Sequence, residues 1–111
     1  MLKEIKFTIS LSPDLKDRLR VIAYKEKQKI IKFVTQYEAY LKDEWRIIVR
    51  YDTAHGFAHK DIIHPNGTTD KQPLPITDFN MAFTFATQDL KVSWEWYRIA
   101  YEKELRSDEQ K

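Results

Sequence analysis

The 111-residue chain reads as an α+β protein: a small antiparallel sheet of three to four strands, with two helices, the C-terminal one long. Three observations lead to that class. KFTISL, IKFVTQYEAYL and WRIIVRYD are rich in β-branched and aromatic residues and fit period-two alternation. A capping signal, Ser12-Pro13-Asp14, precedes apolar residues at helical spacing. Residues 77 to 105 repeat apolar side chains with a helical period. At this length a single domain, residues 1 to 111, can bury its own core.

The elements follow in order. Phe7, Ile9 and Leu11 alternate with Lys6, Thr8 and Ser10, so residues 6 to 11 are expected to form a half-buried strand. Ser12 then caps, Pro13 suits the first helical position, and Asp14 favours the positive helix end. Leu15, Leu19, Ile22 and Ala23 predict an amphipathic helix over 13 to about 27. Ile31, Phe33, Thr35, Tyr37, Ala39 and Leu41 make one face of a strand, whereas a helix there has no clean stripe. KDE is a turn, and Trp45 to Asp52 returns as the second strand of a hairpin, with Ile47, Val49 and Tyr51 on one face. After Gly56, residues 60 to 64 suit a further short strand. PNGTTDKQPLP reads as a loop, with Asn66-Gly67 as a tight turn and Pro73 and Pro75 preventing regular pairing.

Thr77 or Asp78 then caps a helix running to about Leu105. One stripe holds Phe79, Phe83, Ala86, Leu90, Trp94, Tyr97 and Tyr101, and a second, on the far side, holds Met81, Phe85, Val92, Trp96 and Ile99. Such a helix needs cover on two sides: its own sheet, and then either the first helix or a second subunit. The terminal RSDEQK is expected to fray.

Composition narrows the class of function. The hydrophobic share is 42% and the charged share 32%, which suits a globular and well-solvated chain. There is no cysteine, which excludes disulfides and cysteine-ligated zinc. The N-terminus lacks the apolar run of a signal peptide, and no segment approaches membrane-spanning length, so a cytoplasmic protein is expected. Net charge is +2, but residues 1 to 50 carry 12 Lys and Arg against 7 Asp and Glu. Residues 51 to 111 carry 7 against 10. A basic half suits contact with a polyanion, and it also suits ordinary surface solvation.

All three histidines lie in RYDTAHGFAHKDIIH, residues 50 to 64. Three uses are open. In acid–base chemistry on an RNA phosphodiester, His55 and His59 exchange protons and Asp52 orients one of them. Arg50 and Lys60 then hold phosphate, and Tyr51 stacks on a base or donates a hydrogen bond. That chemistry needs no cofactor. In a metal site, His55, His59, Asp61 and His64 supply ligands suited to zinc, manganese or iron. In a structural role, the same groups satisfy loop backbone atoms. A rival of another kind is a non-catalytic interaction module, antitoxin-like or regulatory. Trp94, Trp96, Tyr97 and Tyr101 of the C-terminal helix would then anchor a cognate partner protein or a homodimer.

Three resemblances bear on these choices. FVTQYEAYL, WRIIVRYDTAHGFAHKD, HPNG and FNMAFTFATQDLKVSWEWY together resemble an uncharacterised family of small prokaryotic proteins, over Ile31 to Tyr101. The central motif is similar, more weakly, to TumE-type toxins of toxin–antitoxin systems. Their Tyr-Asp strand end, glycine turn and His with a basic neighbour correspond to Tyr51, Asp52, Gly56, His59 and Lys60. That likeness implies a small toxin-like protein acting on RNA. KFTISLSPDLKDRLRVIA also resembles the start of a ribbon-helix-helix repressor, which implies strand pairing across a dimer and major-groove binding.

Overall fold

The computed structural model describes residues 1–110. Six strands, β1 (Leu2–Ser10), β2 (Asp17–Glu26), β3 (Lys29–Leu41), β4 (Glu44–Asp52), β5 (His59–Ile63) and β6 (Thr69–Pro73), precede one helix, α1 (Phe79–Glu109). The strands form one antiparallel sheet in chain order, β1-β2-β3-β4-β5-β6. The class expected from sequence, three to four strands and two helices, is therefore wrong. The first helix is a strand, and a sixth strand occupies part of the loop after Asn66-Gly67.

The segment expected as helix 13–27 obeys both periods, and strand pairing decides between them. Asp17, Leu19, Val21 and Ala23 are buried at period two, each paired across to β3. Leu15, the first residue of the helical set, is exposed and has φ +62°. Asp14 makes an aspartate turn: it accepts from the Ser12 hydroxyl at 2.6 Å and the Lys16 amide at 3.1 Å. The return into β3 uses Lys27 and Gln28, both at positive φ, without the Asn-Gly or Asp-Gly that usually marks such a turn. The ribbon-helix-helix outline fails with that helix.

β6 is an edge strand, exposed along its whole length. Pro73 is tolerated at its last position, where a missing N–H breaks little of the ladder. Two bulges also disturb the expected faces. At Tyr24/Lys25 the register shift pairs Lys25 with Ile30, so Ile30 is buried and Ile31 is exposed. At Tyr37/Glu38 the shift skips Ile48 and sets Ile47 opposite Glu38, away from the face of Val49 and Tyr51.

α1 packs on β3 and β4. Asp78 caps it by accepting from the Met81 amide at 3.1 Å. Ala82, Ala86 and Leu90 are fully buried, and the alanines let the helix lie close to the sheet. Phe33 meets Phe79 and Phe83 edge-on, and Tyr37 meets Trp94. Burying Leu90 alone contributes about 2 kcal/mol. The helix stays regular to Glu109, so the expected fraying does not cover residues 106 to 109, and Lys111 lies outside the described residues.

The other face of the sheet has no helix on it among the described residues. Cross-strand partners share a face, so pairing sets residues in rows across all six strands. One row is Thr8, Arg20, Gln36, Arg50, Asp61 and Lys71. The adjacent row is Lys6, Ile22, Val34, Asp52, His59 and Pro73.

Candidate functional site

The site is built where β4 turns into β5. Asp52 ends β4 and its carboxylate accepts from the Ala54 amide at 3.1 Å. Thr53 fastens the corner: its hydroxyl accepts from the Phe33 amide at 3.0 Å, and its own amide donates to the Phe33 carbonyl at 3.3 Å. The Gly56 amide donates to Thr53 O at 3.1 Å, and its φ of +83° is where a side chain would be strained. The chain then returns with His59 directly opposite Asp52.

The His59 ring is buried, and its Nε2 lies 2.8 Å from Asp52 Oδ1 and 3.9 Å from Asp61 Oδ2. The exposed His55 ring stacks on it at 5.8 Å, with 27° between planes. Phe57 approaches from the side at 5.8 Å. His55, Phe57 and His59 share a cavity of about 170 Å³ with Lys71, Gln72 and Pro73 of β6. Lys71 Nζ lies 3.6 Å from Asp61 Oδ2.

The neighbouring row carries the positive charge. Arg50 Nε donates to Gln36 Oε1 at 3.0 Å, and the Gln36 amide donates to Glu38. Glu38 also takes Arg18 at 2.7 Å and Arg20 at 3.4 Å. Arg18 in turn lies over the Trp45 ring at 3.7 Å. Arg20 and Lys71 are exposed.

Of the six residues expected in the catalytic reading, His55, His59, Asp52 and Arg50 come together on this face. Tyr51 and Lys60 do not. They pair with each other on the helix side, where Tyr51 donates to Asp89 at 2.7 Å and Lys60 donates to the Tyr97 hydroxyl at 2.6 Å. Tyr97 donates to the same Asp89 oxygen at 2.6 Å. Burial first, then the bond to Asp89, raises the Tyr51 phenol far above its ordinary value. The expected metal set fares similarly. His64 is held elsewhere, by Asp70 and Glu104 at 2.8 Å each. The group that does converge is Asp52, His59 and Asp61, all buried, with one ligand atom from each within 4.8 Å of the others. Sequence reasoning missed Arg20, Gln36 and Lys71, which only the hairpin registers bring to the site.

A family model for a domain of unknown function, DUF7718, matches residues 2–107. The chain belongs to the DUF7718 family. No curated protein matches it, and no solved structure matches it. The match runs from the start of β1 to within two residues of the end of α1 in this DUF7718 chain, including the strand corner that carries His59. None of the described helices of this DUF7718 chain is long and apolar enough to cross a membrane.

Proposed function

We propose that the protein acts in the cytoplasm on RNA at the uncovered sheet face, cleaving a phosphodiester by acid–base chemistry centred on His55. The observation that carries this reading is the exposed His55 ring stacked on His59, itself held by Asp52, beside the cationic row of Arg20, Arg50 and Lys71. His55 takes the proton of a ribose 2′-hydroxyl as that oxygen attacks phosphorus. The P–O5′ bond breaks, and the His55 imidazolium returns the proton to the leaving oxygen. Asp52 and His59 are positioning residues, since both are buried behind the exposed ring. Arg50, Arg20 and Lys71 offset the phosphate charge. The likeness of Tyr51-Asp52, Gly56 and His59-Lys60 to TumE-type toxins supports RNA as the target, although Tyr51 and Lys60 belong to the helix side here.

The test is cleavage of single-stranded RNA by purified protein, His55→Ala protein, and wild type in EDTA. Cleavage is expected to fall about 100-fold in the variant, to persist in EDTA, and to vanish on a 2′-deoxy substrate. Equal cleavage by wild type and variant, or none by either, overturns the reading.

A second reading has its own observation. The outer stripe of α1 is uncovered: Met81 is 64% exposed, Val92 76%, Trp96 74% and Ile99 57%. Phe85, Val92 and Ile99 recur every seven residues, the spacing at which two helices pack along each other. On this reading the helix is a dimerisation surface for a second copy of the chain.

A further inference from the structure

We propose that Asp52, His59 and Asp61 bind one divalent transition-metal ion of the Mn²⁺ or Zn²⁺ class, tying the end of β4 to β5. The proposal concerns the corner used above but rests on burial and unpaired atoms, not on RNA cleavage. The ion takes His59 and Asp52 as ligands and leaves His55 exposed to solvent.

Burial is the first argument. The Asp52 and Asp61 side chains are 11% and 10% exposed and the His59 side chain 6%. Buried carboxylates need cations or several donors. Among the described residues Asp61 Oδ2 has two basic groups nearby, His59 Nε2 at 3.9 Å and the 65% exposed Lys71 at 3.6 Å, and neither is within hydrogen-bond distance.

Unpaired atoms are the second. Asp61 Oδ1 and His59 Nδ1 are buried without a hydrogen-bond partner. Such atoms are uncommon and costly in a folded protein. An ion taking Asp61 through both oxygens satisfies Oδ1, whereas His59 ligates through Nε2 and its Nδ1 is not accounted for by the ion.

Geometry is the third. Ligand atoms about 2.1 Å from a shared ion lie roughly 3 to 3.5 Å apart. His59 Nε2 is 2.8 Å from Asp52 Oδ1 and 3.9 Å from Asp61 Oδ2, each within about half an ångström of that range, and one ligand atom from each of the three residues lies within 4.8 Å of the others. One imidazole with two carboxylates suits manganese, iron or zinc, whereas magnesium and calcium prefer all-oxygen sets.

The test is direct binding to chelator-treated full-length protein. MnCl₂ is titrated with free Mn²⁺ followed by electron paramagnetic resonance, and ZnCl₂ is titrated by calorimetry. One saturable site is expected, with binding at least tenfold weaker in Asp61→Asn and unchanged in Glu44→Gln, an exposed acid on the same sheet. Absence of saturable one-to-one binding, or equal binding by Asp61→Asn, overturns the proposal. If Asp61→Asn does not fold, His59→Gln replaces it, and a wild type that fails to bind is decisive without either variant. Ion binding without RNA cleavage defeats only the RNA reading; cleavage without ion binding defeats only this one.

Discussion

Tyr51 and Asp52 are neighbours in sequence and face opposite sides of the sheet, as do His59 and Lys60. Their roles separate accordingly. Tyr51→Phe removes a buried hydroxyl bonded to Asp89 and should cost about 1 to 2 kcal/mol in urea denaturation, with RNA affinity unchanged. Arg50→Ala, on the uncovered face, should weaken RNA binding and flatten its salt dependence, read by fluorescence anisotropy at several salt concentrations. Equal effects of both variants on RNA binding would show that the two faces are not functionally distinct. This division was available in the sequence: adjacent residues of a strand cannot share a face, so Asp52 and His59 already excluded Tyr51 and Lys60. Asp52 and the His55–His59 stack were legible because one short hairpin corner holds them. Arg20, Gln36 and Lys71 were not, because their place depends on the registers of three other strand pairs.

At the scale of elements, α1 was legible to within a turn at its N-terminus because its apolar period persists over many turns and Asp78 marks its start. β2 was not, since Leu19 and Ala23 satisfy both a helical and a strand period, and its hairpin turn lacks glycine. What decided it was pairing with β3, a tertiary effect that local propensity does not report. The outer face of α1 yields its own prediction. Trp96 is 74% exposed, so Trp96→Glu should leave the circular dichroism spectrum intact. If two copies pack along the stripe, light scattering should give a dimer for wild type and a monomer for the variant. A wild type that is monomeric across the accessible concentration range removes the dimer reading and leaves the stripe to a different partner.

Across the whole molecule, the last turns of α1 are tied to the β6 edge of the sheet through one imidazole. His64 follows β5, and its ring nitrogens lie 2.8 Å from Asp70 in β6 and 2.8 Å from Glu104 in α1. The bond to Asp70, then that to Glu104, raises the His64 pKa above its ordinary value of 6.5. A folded-state pKa above the unfolded one means that the folded protein binds the proton more tightly. The stabilisation is therefore complete below pH 6.5, provided the two carboxylates stay ionised, and is lost as pH rises through the raised value. His64→Gln should melt at a lower temperature than wild type at about pH 5.5, and the gap should close by about pH 9. A gap that stays constant over that range would mean that neutral hydrogen bonds hold the strap. A gap that closes would identify imidazolium charge as what joins β6 to α1, separately from the histidines of the candidate site.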